Sequence, residues 1–189
     1  LPKKPFSYSI SIVDKIDTLV GFFIINEKPT SSKDPFALRR AAIGMLRIII
    51  ENKLSFKLRD LISYSIRLYQ EQGVEIKNET SEQQVLEFIK ERMRNVLKLK
   101  NIKTDIIEAS ISSHAGDNFL ALYTKTILMN KYKNKGIGLK AISSYKRASN
   151  ILDKAGQGIT GRPDAVLFRK DEEKILHEKI NEIRKAFTV

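Results

Sequence analysis

The sequence predicts an all-α protein built from helical bundles. Apolar residues recur at alternating threes and fours through most of its 189 residues, and clusters of turn formers separate those stretches. No strand-like alternation of useful length interrupts the pattern. With 42% hydrophobic residues there is enough apolar side chain for a real core, and the length fits one domain or two small ones.

The elements follow in order. Residues 7–25 carry Ile10, Val13, Ile16, Val20 and Phe23 at helical spacing, so this stretch is a helix with those residues inward. Residues 26–34 are rich in turn formers and read as a loop. Asp34-Pro35 then reads as a helix start, with Asp capping free amides and Pro at the first helical position. The helix to Asn52 is apolar almost all round and is expected to be buried, with Arg47 paired to Glu51 inside it. A third helix covers residues 55–72, with Leu58, Leu61, Ile62, Ile66 and Tyr69 inward and Gly73 ending it.

Residues 74–80 form a linker, and Ser81 with Gln84 makes a capping box opening a helix to Lys98. There Val85, Ile89, Met93 and Val96 face inward, while Lys90, Arg94 and Lys98 form a solvated stripe. A short helix runs over residues 104–112, and Asp117 caps the next, which carries Phe119, Leu122, Ile127 and Met129. A basic, glycine-containing turn spans Lys131 to Gly138. In the helix from Leu139 to Lys154, Ala141, Ile142, Tyr145, Ala148 and Leu152 form one face, with Tyr145 expected in the core. Lys140, Ser143, Arg147, Asn150 and Lys154 form the opposite face. Residues 156–164 are a Gly/Pro-rich loop, and Asp171 caps a final helix. Two helical units joined near residues 73–80 result.

Charge points to partners. Thirty-four basic against 22 acidic residues give a net charge of +12, which favours a polyanion such as RNA through counterion release. Between Lys131 and Lys154 lie Lys131, Lys133, Lys135, Lys140, Lys146, Arg147 and Lys154 against the single acid Asp153. Tyr132 and Tyr145 are the nearby rings on which unpaired bases stack. No membrane is expected: the longest apolar run, Leu19 to Ile25, is far short of the roughly 18 residues a spanning helix needs. The absence of Cys excludes disulfides, Cys-ligated zinc and thiol catalysis, and fits a cytoplasmic location. His114 and His177 have no companion at metal-ligand spacing, and no phosphate-loop or nucleophile-elbow motif occurs, so no catalytic or metal-binding residue is assigned. Asp14 and Asp17 lie near one helix face, with Lys15 and solvent as sufficient partners.

Particular runs carry a family resemblance. Residues 14–23, D-K-I-D-T-L-V-G-F-F, then Glu27-Lys28-Pro29, then residues 32–42, S-K-D-P-F-A-L-R-R-A-A, closely resemble the β-subunit family of bacterial tetrameric glycyl-tRNA synthetases. Residues 145–152, Y-K-R-A-S-N-I-L, resemble a helix near the start of that family's anticodon-binding domain. The resemblance spans essentially the whole chain. It implies a ligase of two α and two β subunits that joins glycine to tRNA(Gly) at the expense of ATP, the α subunit holding the catalytic core and ATP. The β subunit mainly grips tRNA. On this reading the chain is a piece of something larger. Residues 1–73 are the last helices of an HD-like domain with a linker, and 81–189 include part of a DALR-type anticodon-binding domain. The implied partners are tRNA(Gly), the α subunit and a second β subunit. This piece holds no cofactor. Asp14 resembles a remnant of the last HD aspartate. Asp14, Asp17, Asp34, Pro35, Arg39 and Arg40 are signature residues expected to be structural, and the tRNA-facing set is Lys131, Lys133, Lys135, Lys140, Lys146, Arg147, Asn150 and Lys154.

Overall fold

A computed structural model describes residues 1–30, 33–113, 116–133, 135–155 and 163–187. The helices, in order, are α1 (Pro5–Ile24), α2 (Leu38–Glu51), α3 (Leu58–Glu71), α4 (Ser81–Lys98), α5 (Thr104–Ser112), α6 (Phe119–Lys133), α7 (Gly136–Ala155) and α8 (Asp171–Phe187). A single 3-10 turn, Ala165–Leu167, precedes α8, and no strand occurs among the described residues. The expected all-α class is what the chain forms.

Two compact units divide at Leu139, and each is described by itself. In the first, residues 1–139, α4 is the hub and packs against α1, α2, α3, α5 and α6. Its inward residues Val85, Ile89, Met93 and Val96 are buried as the spacing predicts. The 73–80 segment does not divide the packing. It is tied to the end of α1, where the Lys77 amide donates to the Ile24 carbonyl (2.9 Å) and Asn78 Nδ2 to the Phe23 carbonyl (3.0 Å). Gly73 (φ +77°) ends α3 in the left-handed conformation that its missing Cβ permits.

Several local expectations are corrected by the packing. In α1 the buried residues are Ile12, Ile16, Leu19, Val20, Phe23 and Ile24, whereas Ile10 and Val13 are exposed. The helix has more apolar residues than one face holds, so its neighbours α2, α3 and α4 choose the phase. Helix α2 starts at Leu38, three residues after Pro35. Asp34 still caps it, its carboxylate accepting from the amides of Leu38 (2.9 Å) and Arg39 (3.1 Å), with Ala37 at φ +54° turning the chain between them. Arg47 and Glu51 are both exposed and form no ion pair, because a solvated guanidinium needs no buried partner.

The capping box at Ser81 and Gln84 does not form. Gln84 Nε2 instead donates to Thr80 Oγ1 (2.6 Å), and Thr80 donates to Asn78 Oδ1 (2.9 Å), because the helix begins one residue earlier than a Ser81 cap requires. Asp117 does not cap the helix that follows it. Its carboxylate accepts from the Arg59 amide (2.8 Å) and its carbonyl from the Leu58 amide (3.3 Å), so it caps α3 from 58 residues away. Asn118 caps α6 through the Ala121 amide (3.0 Å). We expect Asp117→Ala to destabilise the first unit by about 1–2 kcal/mol, measured by urea unfolding. An unchanged midpoint would remove this cap from the ledger of the fold.

In the second unit, residues 140–189, none of the described side chains is buried. The face of α7 expected to pack, with Ala141, Ile142, Ala148 and Leu152, is exposed, and Tyr145 is 74% exposed rather than core. Asp171 does not cap α8. Glu173 reaches back to the amides of Arg169 (2.8 Å) and Lys170 (3.0 Å), and those bonds hold its carboxyl below the usual range. His177 lies edge-on to Phe168 (5.3 Å). His114, Ser32, Val189 and residues 156–162 of the expected loop lie outside the described residues.

Candidate nucleic-acid interface

The basic residues differ in what already holds them. The break between α6 and α7 is shorter than the expected eight-residue turn, since α6 ends at Lys133 and α7 begins at Gly136. Lys133 is engaged: its ammonium pairs with Asp105 at the start of α5. That bond is the main reason the Asp105 carboxyl sits below the usual carboxylate range. Lys131 and Lys135 lie over the Tyr132 ring at 5.8 and 5.1 Å, leaving an exposed aromatic flanked by two cations. Lys133 therefore leaves the set of free cations, while Lys131 and Lys135 stay in it.

In the second unit Lys140, Ser143, Arg147, Asn150 and Lys154 share one face of α7, extending about 21 Å at the helical rise. Lys140, Lys146, Arg147, Asn150 and Lys154 are all exposed, and no ion pair or hydrogen bond engages their side chains. The face is therefore a row of uncommitted positive charge with one amide. Tyr145 is exposed on the opposite face.

Two residues of the stripe on α4 are engaged. Arg94 donates to Glu108 on α5 (3.0 and 3.3 Å) and to Glu91 (2.9 Å), and these carboxylates hold its proton more tightly than usual. Lys90 pairs with Glu87 (2.9 Å). Only the Arg94–Glu108 pair reaches another helix; the Lys90–Glu87 pair lies within α4, and Lys98 is exposed.

The signature residues differ in what they hold. Asp14 is exposed beside Lys15 (3.7 Å). The Asp17 carbonyl accepts from the Tyr69 hydroxyl (3.2 Å), whose pKa is raised by burial and then by the Asp17 charge. Gly21 makes that contact possible, since a Cβ there would lie 2.6 Å from the Tyr69 oxygen. Asp34 is the cap of α2, Pro35 turns the chain before it, and Arg39 donates to the Thr30 carbonyl to close the preceding loop. Arg40 is exposed. No cluster of three or more potential metal ligands occurs among the described residues, and Asp14 and Asp17 have no third acid or His beside them there. The cleft between α1 and the α2–α3 loop, about 340 Å³, is lined by apolar and hydroxyl side chains such as Ile12, Leu54 and Phe56.

A model of the family described as "Glycyl-tRNA synthetase beta subunit" matches residues 1–112, more than half of the chain. The chain belongs to this family. Curated glycyl-tRNA synthetase beta subunits align along nearly all of it. The glycine–tRNA ligase beta subunit of Rickettsia canadensis (strain McKiel) is 38% identical over 174 residues, 92% of this chain and 25% of the relative. That of Rickettsia africae (strain ESF-5) is 39% identical over 174 residues, 92% of this chain and 24% of the relative. That of Shewanella sediminis (strain HAW-EB3) is 34% identical over 184 residues, 97% and 26% respectively. The chain thus spans about a quarter of the length of these relatives. Within this glycyl-tRNA synthetase beta-subunit piece, the signature residues Asp14 to Arg40 lie inside the family match, and the cationic helix α7 lies after it.

Proposed function

We propose that this chain is a tRNA-gripping, non-catalytic portion of the beta subunit of a glycine–tRNA ligase. The observation that carries the reading is the uncommitted cationic face of α7 in a chain of this family. The reaction served is ATP + glycine + tRNA(Gly) giving glycyl-tRNA(Gly), AMP and diphosphate, with ATP and glycine held by the α subunit. The assembly pairs this subunit with that α subunit and with a second β subunit, in the cytoplasm. No helix among the described residues is long and apolar enough to cross a membrane. In this reading residues 1–73 close an HD-like domain, and the anticodon-binding, DALR-type region lies within 81–189, with α7 as its RNA-facing helix.

The physical role is backbone neutralisation. Lys140, Lys146, Arg147 and Lys154 sit near phosphates and release their counterions, Asn150 adds a donor, and Tyr132 in the first unit, flanked by Lys131 and Lys135, offers a ring for an unpaired base. None of this reads sequence by itself. It positions the tRNA.

The test is tRNA(Gly) affinity against salt for the chain and for a Lys140→Ala, Arg147→Ala, Lys154→Ala variant. Losing three phosphate contacts flattens the log–log slope by about two units and weakens binding across all tRNA sequences alike. Equal slopes and affinities would remove this helix from the interface.

A second reading, a helical scaffold that joins the α and β subunits without touching tRNA, is favoured by the exposed apolar faces of α7 and α8, including Leu152, Ile175, Leu176 and Ile183. Capture of the α subunit that is lost in an Ile175→Ser, Leu176→Ser variant and indifferent to tRNA is its signature.

A further inference from the structure

A long, shallow trough runs between α1 and α3 in the first unit. The cleft of about 340 Å³ at one end, against the Leu54–Phe56 stretch, shares Val13 and Leu61 with a second cleft of about 190 Å³. The second reaches Tyr64 and Leu68 on α3 and Asp17 on α1. A third, of about 410 Å³, continues from Asp17 past Thr18 and Gly21 to Tyr69. From Ser9 to Gly21 the trough measures about 18 Å at the helical rise, the length of roughly three turns of a helix laid in it.

Its rims are apolar stripes. Phe6, Ile10, Val13 and Asp17 recur at i, i+4, i+7 and i+11 on α1, and Leu61, Tyr64 and Leu68 at i, i+3 and i+7 on α3. Phe6, Ile10, Val13 and Tyr64 are each more than half exposed. Two such stripes with a hollow between them are the receiving half of a helix-in-groove packing. Polarity rises toward Asp17, which is exposed and makes no ion pair with any described residue. The shape and chemistry fit an amphipathic helix with a polar or basic residue at one end.

Two features select the occupant. Asn52 Nδ2 donates to the Pro2 carbonyl (3.1 Å) and holds Leu1 to Lys3 against the end of α2, two residues before Leu54 in the trough wall. Residues preceding Leu1 in a longer chain therefore emerge beside the trough, within the roughly two to eight residues of ordinary helix–helix connections. The relatives have length to supply them, since this chain spans about a quarter of each. Size points the same way. A groove of three turns is small against the about 800 Å² per partner of a standard interface, so a free partner is held weakly, whereas a tethered segment arrives at about millimolar effective concentration.

We propose that the segment directly preceding Leu1 in the full-length beta subunit lies as an amphipathic helix in the α1–α3 trough. This rests on the part of the proposed function that makes the chain a piece of a longer beta subunit, and not on tRNA contact.

The test uses the full-length subunit, alone and with its α partner. Val13→Cys puts a thiol into a stretch that has none, and Val13 is exposed enough for the change to leave the fold of this chain intact. Its alkylation is mapped by mass spectrometry, each rate taken relative to the same protein in urea. Labelling is at least about tenfold slower in the full-length subunit than in this chain, because the thiol reacts only when the docked helix opens. Photo-cross-linking from Tyr64→p-azidophenylalanine then names the occupant, and a cross-link to the residues just before Leu1 supports the docking. Cross-links to the region after Val189, to a second beta subunit or to the α subunit would overturn it. So would unslowed labelling in the full-length subunit, or a native reading frame that begins at Leu1. Neither readout involves RNA, so failure to bind tRNA leaves the docking standing, and failure to dock leaves the α7 face untouched.

Discussion

Leu19→Ala lowers the stability of the first unit by about 3–4 kcal/mol, whereas Ile10→Ala changes it by less than about 0.5 kcal/mol. Leu19 is fully buried on the face of α1 that meets α2, α3 and α4, and truncating it opens a cavity that a close-packed interior fills only in part. Ile10, 54% exposed, has little to lose. Urea unfolding followed by circular dichroism reads both, with the midpoint moving and the slope held. The comparison is sharp because the helical period alone puts Ile10 on the inner face together with Ile16, Val20 and Phe23. Equal losses at the two positions would return α1 to that phase.

Gly138→Ala is expected to cost about 1–3 kcal/mol and to loosen the junction between α6 and the start of α7. A Cβ at Gly138 would lie 2.2 Å from the Tyr132 carbonyl oxygen and 3.0 Å from its carbon, both backbone atoms that no rotamer change can clear. The same carbonyl accepts the Lys135 amide (3.1 Å), so moving it breaks the bond that turns the chain. Gly136 is the control, since a Cβ there meets nothing within 4 Å, and Gly136→Ala should be neutral or slightly stabilising. Thermal unfolding together with amide hydrogen exchange over residues 130–139 separates the two variants. Indistinguishable behaviour would mean that Gly138 does not approach the Tyr132 carbonyl this closely.

The site divides in the same way between what is local and what is not. The cationic face of α7 is legible because Lys140, Arg147 and Lys154 recur at helical spacing and nothing in the chain is needed to know that they share a side. Whether a lysine is free is a different matter. Lys133 and Lys135 look alike in the run, yet Lys133 is bound by Asp105, 28 residues earlier, and Lys135 rests over Tyr132.

The sequence by itself determined that the chain is helical, roughly where each helix lies, which residues line α4, and the family to which residues 14–42 point. Those properties rest on interactions within a few residues, such as the 3.6-residue period, turn chemistry and the short span from a cap to its amides. Only the tertiary structure decided which side of α1 is inside, that Asp117 serves α3 rather than its own helix, and which cations are spent. Each of those depends on groups tens of residues apart, and a side chain's energy is set by whatever packing brings beside it, not by its place in the run.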